Sequence, residues 1–299
     1  MTSAITAEDE RRPLVIGLGE ILWDRFPDGD RLGGAPANVA FHAGQLGARG
    51  VPASRIGIDA DGERLASELK ARGLSLEAVQ RDPLRPTGIV RVTLDQGQPS
   101  YVIEPDSAWD GLEFTPEWEA LAARADAVCF GTLAQRSPTA RETIRRFVGG
   151  TAPGALRCFD INLRQNFYDL DSVEFGLSHA TVLKLNGGEL EAVAGLFGWP
   201  LSTEAVCQRL FERFPLGWIA LTHGAEGCEL RSRTETFRSA APRVECVDAV
   251  GAGDAFSAAL IVSLLQGRLP QEAADRANRI GAYVAGQAGA MPTLLSSLL

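Results

Sequence analysis

The chain has 299 residues, 45% of them hydrophobic and 22% charged, and its formal net charge at pH 7 is −9. This balance is typical of a folded globular protein and excludes a disordered or fibrous one, while the length allows one large α/β domain or two small domains. The acidic charge disfavours a nucleic-acid partner, which usually requires a basic surface, and favours a small ligand.

The N-terminal residues 1–12 contain acids and lack the apolar stretch of a signal peptide, and no later run is long enough to span a membrane. We therefore expect a cytoplasmic protein without a membrane partner. The five cysteines are an odd number without a Cys-x-x-Cys pair, which favours reduced, buried thiols over disulfides.

Strand and helix patterns alternate along the chain. Residues 14–26 are typical of a strand and 36–46 of an alanine-rich helix, whereas the alternation over 87–103, with Gly97 in the turn, predicts a hairpin in a small lid sheet. From residue 126 onward, short apolar runs alternate with helix-length segments, as in a parallel sheet flanked by helices. The predicted strands are 127–131, 157–161, 181–185 and 218–221, and the last predicted helices are 254–266 and 271–286.

The segment Gly251-Ala252-Gly253-Asp254 is a glycine-rich turn that opens directly into an apolar helix. Such a turn exposes backbone amides, which together with the positive end of the helix dipole can hold a developing phosphate charge. Asp254 is then placed to act as a general base that takes a proton from an attacking hydroxyl. The alternative is that the glycines make a simple turn and that Asp254 caps the helix.

Other nucleotide and metal motifs are missing from the sequence. There is no Gly-Lys pair, and the only lysines are Lys70 and Lys184, so a P-loop is excluded. Gly17 and Gly19 lack the third glycine of a dinucleotide fingerprint, and the three histidines form no zinc-ligand spacing. We expect Lys184 to be a strand-end cation and not a catalytic lysine.

Six ordered motifs extend over nearly the whole chain. They are Gly19-Glu20 with Asp24, Gly33-Gly34-Ala35-Pro36-Ala37-Asn38, Asp160-x-Asn162-x-Arg164, Asn186-x-x-Glu189, Thr222-x-Gly224-x-x-Gly227 and Gly251-Ala252-Gly253-Asp254. This set resembles the ribokinase-like (PfkB-type) carbohydrate kinases, and it is most similar to fructokinases. The resemblance implies a ribokinase-like α/β fold with a central, mostly parallel sheet, helices on both faces and a small β lid. It also implies a single kinase domain over residues 1–299, with the lid formed by about 24–33 and 86–106.

For the first half of the chain, the resemblance implies a sugar site. Asp24 and Asn38 would bind hydroxyls, and Gly33 and Gly34 would let the backbone approach the ring. The residue types agree, because a carboxylate and an amide can pair with adjacent hydroxyls and glycine has no side chain to obstruct the ligand. The alternative is a surface acid beside a simple loop.

For the second half, the resemblance implies phosphate and metal contacts. Arg164 follows a predicted strand, where parallel sheets place ligands, and its guanidinium suits phosphate oxygens. The alternative for Arg164 is a structural ion pair with Asp160 or Asp169. By resemblance, Asn186 and Glu189 organise Mg²⁺, Glu189 through water, although Glu189 also suits a plain helix acid.

The resemblance implies further nucleotide contacts at Thr222, Gly224 and Gly227, with Asn278 on the adenosine side, although each also suits a structural role. Ala249 departs from the family pattern, in which threonine is commoner. Because family members bind K⁺ near this position through backbone carbonyls, the resemblance adds K⁺ to Mg²⁺ as an implied cofactor.

The function implied is ATP-dependent transfer of the γ-phosphate to a sugar hydroxyl, with D-fructose to fructose 6-phosphate as the leading reaction. The alternatives are a ribose or 2-keto-3-deoxygluconate kinase and a catalytically silent sugar sensor. A sugar acid would need a cation for its carboxylate, and Arg91 and Arg136 are the candidates. Trp109, after the hairpin, suits either a wall of the sugar site or the core. An exposed lid sheet also predicts a homodimer.

Overall fold

The computed structural model describes residues 12–95 and 98–299. Strands and helices alternate through most of this range, as the sequence predicts. The strands are β1 (Leu14–Leu18), β2 (Leu22–Phe26), β3 (Gly29–Gly33), β4 (Arg49–Gly57), β5 (Val79–Asp82), β6 (Gly88–Asp95), β7 (Gln98–Ile103), β8 (Ala127–Phe130), β9 (Leu156–Asp160), β10 (Val182–Asn186), β11 (Trp218–Thr222), β12 (Cys228–Arg231) and β13 (Thr236–Ser239). The α-helices are α1 (Ala35–Gln45), α2 (Ala60–Ala71), α3 (Pro116–Arg124), α4 (Pro138–Gly149), α5 (Leu170–His179), α6 (Gly187–Phe197), α7 (Thr203–Arg213), α8 (Ala252–Leu265) and α9 (Pro270–Ala285).

Within the described residues, nine strands form a large sheet in the order β13-β12-β11-β10-β9-β8-β1-β4-β5. All neighbours from β11 to β5 run parallel, and β12 and β13 add antiparallel strands at one edge. Helices α3 to α7 contribute to a hydrophobic cluster on one face of this sheet, and α1, α8 and α9 to a cluster on the other. The predicted mostly parallel sheet with helices on both faces is confirmed.

The central strands and α8 show why the chain forms this core. Strand β1 is buried along its whole length, which agrees with its continuous apolar run and with coverage by helices on both faces. Helix α8 is apolar around its circumference, because it is packed between the sheet and the neighbouring helices α1 and α9. Burial on all sides fixes the position of its N-terminus relative to the sheet.

A second, four-stranded sheet has the order β3-β2-β6-β7 and is called the small sheet below. The hairpin of β6 and β7 pairs Val90 with Ile103 in antiparallel register, as predicted, while Gly97 lies outside the described residues. The single strand predicted over 14–26 is wrong. The structure has β1 in the large sheet and β2 in the small sheet, because Gly19 with a φ of 144° turns the chain between two apolar runs.

Two further expectations concern membrane helices and cysteines. In residues 12–95 and 98–299, no helix combines the length and the apolar character needed to cross a membrane. All five cysteines are free, and four of them are buried. Cys246 is exposed, contrary to the expectation of buried thiols, because it lies in the extended segment between β13 and α8 and not in a strand.

Candidate active site

The site residues collect at one edge of the large sheet. Glu20 follows β1, Arg164 follows β9, Asn186 ends β10 and Thr222 ends β11. Because these strands are parallel, their carboxyl ends meet at the same edge, which is where open α/β sheets bind ligands. The N-termini of α1 and α8, which pack against each other, lie at the same edge. Two helix N-termini therefore point their positive dipole ends toward this cleft.

The glycine-rich turn forms the first turn of α8. Gly251 is the residue before the helix and has a φ of 80°, and a Cβ there would lie 2.6 Å from Cα of Ala290. Only glycine fits this left-handed, crowded position. No side chain of the described residues caps the helix. Ala252 N–H donates to the backbone oxygen of Ala249 at 3.4 Å, whereas the amides of Gly253 and Asp254 have no backbone partner among the residues that the structure describes and remain free to bind an anion.

Asp254 lies in the first turn of α8 and does not cap it. Its Oδ2 accepts a hydrogen bond of 2.7 Å from Nδ2 of Asn38, and Asn38 is the fourth residue of α1. The capping alternative for Asp254 is therefore wrong. Since a carboxylate can only accept, the amide nitrogen of Asn38 must face Asp254. The amide oxygen of Asn38 is buried and has no partner among the described residues.

The surroundings of Asp254 suit a base. Burial raises the pKa of Asp254 above its usual range, and the negative charge of Asp160 raises this pKa further. The hydrogen bond from Asn38 and the positive charges of Lys184 and Arg164 oppose these effects. A raised carboxylate pKa favours proton uptake from a hydroxyl.

Asp24 on β2 lies diagonally across from Gly33 on β3, since Gly33 pairs with Leu22 and Asp24 with Arg31. A Cβ on Gly33 would collide with Oδ2 of Asp24, so the glycine makes room for this carboxylate. Burial raises the pKa of Asp24 to about 6, against the lowering effect of Arg164. Asp24 is partly buried on an interior strand of the small sheet and is therefore not a surface acid.

Glu20 belongs to the Gly19-Glu20 motif, but no role was predicted for it from the sequence. Its side chain is 6% exposed. Burial raises the pKa of Glu20 to about 7, and the nearby charge of Asp254 contributes. Glu20 lines a narrow cavity together with Thr132, Asp160 and Asn162. Its position after β1 could have been used as a signal, since a strand-end acid in an apolar run is unusual.

Arg164 lies on an exposed loop after β9, and its guanidinium donates to the backbone oxygen of Leu163 at 3.1 Å. The two predicted ion-pair partners are engaged elsewhere, Asp160 by Lys184 and Asp169 by Arg141. Nevertheless, the charge of Arg164 lowers the pKa values of Asp254, Asp24 and Glu20. The guanidinium therefore faces the cleft without a carboxylate partner in the described part of the chain.

The same loop is held at two points. The backbone amide of Leu163 donates to Oε1 of Glu189 at 3.1 Å, and Nε2 of Gln165 donates to the backbone oxygen of Tyr101 on β7 at 2.6 Å. Asn162 and Gln165 adopt positive φ angles of 42° and 48°. Such strained backbone is found at sites where the surrounding structure enforces it. The loop thus links α6 to the small sheet.

Asn186 and Glu189 form a reciprocal cap at the start of α6. Glu189 N–H donates to Oδ1 of Asn186 at 2.9 Å, and Asn186 N–H donates to Oε2 of Glu189 at 2.8 Å. Among the described residues, no cluster of three or more acidic, histidine or cysteine side chains could hold a metal ion directly. Both carboxylate oxygens of Glu189 accept backbone amides, Oε1 from Leu163 and Oε2 from Asn186.

The predicted nucleotide residues lie around β10, β11 and α9. Thr222 pairs with Asn186 in the sheet register, and Gly224 and Gly227 flank the short turn after β11. Asn278 on α9 is buried, and its Nδ2 donates to the backbone oxygen of Ser239 at 3.0 Å. Thr222, Gly224 and Gly227 lie at the carboxyl end of β11. Asn278 lies apart from them, and its amide nitrogen binds the last residue of β13.

Three side chains considered near the sugar site belong to the scaffold. Trp109 is fully buried in the core, and the guanidinium of Arg136 lies 3.9 Å above its ring. Arg136 also donates two hydrogen bonds, of 2.9 and 2.7 Å, to Asp110. Arg91 is paired with Glu104. Both arginines are thus already neutralised by carboxylates.

A family model described as pfkB family carbohydrate kinase matches residues 29–296 of the chain. The chain belongs to the pfkB family of carbohydrate kinases. It is therefore a phosphotransferase that acts on a sugar hydroxyl, and the predicted family, fold and enzyme class are confirmed.

Fructokinases are prominent among the relatives. The chain is 30% identical to a fructokinase from Escherichia coli over 93% of this chain and 94% of the relative. It is 29% identical to fructokinase-1 from Oryza sativa subsp. japonica over 95% of each. Two solved structures share the fold: fructokinase with bound ATP from Xylella fastidiosa (TM-score 0.83, 22% identity, 94% of each chain) and fructokinase from Vibrio cholerae bound to fructose, ADP and calcium (TM-score 0.81, 23% identity, 97% of this chain and 98% of the other).

Proposed function

We propose that this kinase transfers the γ-phosphate of ATP to D-fructose and forms fructose 6-phosphate. The observation that carries the proposal is the hydrogen bond between Asn38 and Asp254, which places a carboxylate with a raised pKa beside the free amides of α8. The relatives named fructokinase, and the Vibrio cholerae structure that contains fructose and ADP, support fructose as the acceptor.

The first step is activation of the acceptor. Asp254 accepts the proton of the attacking hydroxyl, and the backbone amides of Gly251, Ala252 and Gly253 receive the negative charge that develops on the transferred phosphoryl group. Arg164 adds a guanidinium on the opposite, exposed side of the cleft and neutralises phosphate charge. These groups supply a base, an anion hole and an exposed cation.

Sugar binding uses the small sheet and α1. Asp24 accepts hydrogen bonds from hydroxyls, and the unpaired Oδ1 of Asn38 accepts another while its Nδ2 holds Asp254. Gly33 and Gly34 act through close packing, because a Cβ at Gly33 would collide with the Asp24 carboxylate and a Cβ at Gly34 would lie 2.5 Å from the backbone oxygen of Glu20. Because the small sheet covers this side, its closure over the sugar would exclude water and protect ATP from hydrolysis.

Nucleotide and metal binding use the ends of β10 and β11. Asn186, Thr222, Gly224 and Gly227 contact ATP phosphates and ribose, and Asn278 positions the adenosine side through β13. Glu189 would hold Mg²⁺ through water, and the ion would supply positive charge that neutralises the phosphate groups. K⁺ is proposed as a second cation near the backbone of Ala249, where only carbonyl groups are needed. The solved relatives with Mg²⁺ or Ca²⁺ support the divalent ion.

The alternative substrates differ in what they require. A 2-keto-3-deoxygluconate kinase needs a free cation for the carboxylate, and both candidate arginines, Arg91 and Arg136, are paired with acids. Ribose offers hydroxyls like those of fructose and remains the closer alternative. A catalytically silent sensor would not need the Asp254 carboxylate beside free helix amides.

We further propose a cytoplasmic homodimer. Five free cysteines agree with a reducing compartment. Strand β7 at the edge of the small sheet exposes Tyr101 and Val102, which are 45% and 50% accessible, and uncovered strand edges promote association. Sedimentation velocity of V102K against the parent tests the dimer, with L201K at an exposed position elsewhere as the control.

The substrate is tested by measuring ADP release from Mg·ATP in the presence of K⁺ with D-fructose, D-ribose, 2-keto-3-deoxygluconate, adenosine or no acceptor. We expect kcat/KM for fructose to exceed that for each other acceptor by at least about 10-fold, since hydroxyl-binding sites discriminate strongly. A higher kcat/KM with another sugar would overturn fructose but not the kinase class. The absence of turnover in a sample that binds ATP would favour the sensor.

A further inference from the structure

A buried polar chain runs beneath the site and has no role in the steps above. Nζ of Lys184 on β10 donates to Oδ1 of Asp160 on β9 at 2.9 Å, and Oγ of Ser257 on α8 donates to Oδ2 of Asp160 at 2.9 Å. The three residues are 7%, 3% and 0% exposed. Lys184 and Asp160 occupy paired positions in the sheet register. The chain therefore ties two central strands to the first turns of α8.

The ammonium of Lys184 lies directly behind the glycine-rich turn. A Cβ on Gly253 would lie 3.1 Å from Nζ of Lys184, so this glycine gives the ammonium access to the back of the anion hole. The expectation that Lys184 is a strand-end cation is wrong, because its side chain points into the protein beneath α8.

The charges around Lys184 show an imbalance that its ammonium corrects. Asp160, Glu189 and Asp254 face it from β9, α6 and α8. Burial alone would lower the pKa of Lys184, but these acids raise it above its usual value. Without Lys184, only the carboxylates of Asp160, Glu189 and Asp254 would lie behind the glycine-rich turn that ATP approaches. Replacement of the whole buried pair of Lys184 and Asp160 by apolar side chains is often neutral for stability, so stability alone does not account for the pair.

We propose that Lys184 is a positioning residue for phosphoryl transfer: its ammonium fixes the first two turns of α8 through Asp160 and Ser257, and adds positive potential behind the amides of Gly253 and Asp254. The effect is greatest when charge develops on the transferred phosphoryl group. Lys184 should therefore affect kcat and leave the affinities for ATP and sugar nearly unchanged. This inference rests on the proposed role of Asp254.

The test compares K184M, the double variant K184M/D160N and the control K70M, which alters the exposed lysine of α2. K184M leaves Asp160 buried without its cation and loses stability, whereas the double variant removes both charges and keeps a partner for Ser257. Turnover is expressed per ATP-binding site, so that only folded molecules count. We expect kcat of the double variant to fall by roughly 10- to 100-fold, with Kd values for ATP and fructose within about 3-fold of the parent.

Parental kcat in the double variant would overturn the proposal, because Lys184 would then serve only to neutralise Asp160. A loss confined to KM or Kd would overturn it as well. D254N is measured in the same series. If D254N also retains parental kcat, the proposed catalytic base is wrong. If D254N loses activity but the double variant keeps parental kcat, only the role of Lys184 is wrong.

Discussion

The phosphate side and the sugar side of the cleft are built differently. On the phosphate side, nine residues of α8 are buried, and its second turn is tied to β9 and β10 by a buried polar chain. On the sugar side, Asp24 lies on a small sheet whose ion pairs, such as Arg25 with Asp30 and Arg31 with Asp28, are partly or largely exposed. Exposed pairs contribute only about 0–1 kcal/mol each. The comparison teaches that the proposed phosphate contacts come from a helix buried in the core, whereas the proposed sugar contacts come from a sheet that is packed on the core but whose ion pairs lie partly in solvent.

The largest effect should come from D254N, which breaks the phosphate side. The amide cannot take the proton of the sugar hydroxyl, so we expect kcat to fall by roughly 10²- to 10⁴-fold. Because the substitution is nearly isosteric, the Kd values for ATP and fructose should stay close to those of the parent. Steady-state turnover and calorimetry measure these two quantities. D171N changes an exposed acid on α5 and should leave turnover unchanged, and parental turnover in D254N would refute the assignment of the base.

The next effect concerns stability at Glu20, between the two sides. Its pKa rises from 4.5 to about 7 in the folded state, so over this range the folded state binds a proton that the unfolded state has released. The free energy of unfolding therefore falls as pH increases through this window, by up to about 3 kcal/mol at pH 8. E20Q removes the ionisation and should be more stable than the parent at pH 8, with a smaller difference at pH 5.

Urea unfolding of the parent, E20Q and the exposed control E235Q at both pH values measures this difference. E235Q should follow the parent at each pH. If the free energies of unfolding of E20Q and the parent differ by the same amount at pH 5 and pH 8, ionisation of Glu20 does not destabilise the folded protein. A retained destabilising acid at the cleft would agree with a functional role for Glu20.

Local sequence was sufficient for the glycine-rich turn, because glycines before an apolar helix define its start at short range. It was not sufficient for Asp254. The hydrogen bond that shows that Asp254 does not cap the helix comes from Asn38, which lies 216 positions away in the chain. The same limit explains Lys184. Its environment is set by Asp160 on the neighbouring strand and by Ser257 on a distant helix, and neither contact is visible in the run of residues around Lys184.

The division of residues 14–26 into two sheets shows a related limit. Leu14–Leu18 and Leu22–Phe26 are both apolar enough for strands, so periodicity joins them. The break depends on Gly19 and on which sheet each half can bury itself against. By contrast, the small-sheet hairpin was predictable, since apolar and polar residues alternate across 88–94 and again across 101–103.

The sugar side should respond to pH through Asp24. Its pKa is raised to about 6. Protonation below this pH therefore removes the negative charge of the carboxylate that is proposed to accept hydrogen bonds from the sugar hydroxyls. We expect KM for fructose to be constant above about pH 7 and to increase as pH falls through 6, by roughly 10-fold in total, which is the value of one charge-assisted hydrogen bond. D24N should have a high KM without this pH dependence. The same pH profile in D24N and the parent would assign the titration to another group.

The smallest effect should come from the direct link between the two sides. Nη1 of Arg31 on β3 lies 3.6 Å from Oδ2 of Asp248, whose carboxylate also accepts the backbone amides of Val250 and Gly289 next to the glycine-rich turn. R31A should raise KM for fructose by no more than about 5-fold and leave kcat unchanged, because a partly exposed pair contributes little. R25A removes a similar arginine of the same sheet that pairs with Asp30 and Asp61 instead. If R25A and R31A change KM equally, the contact with Asp248 does not couple the sheet to the turn, and the two sides of the cleft act independently.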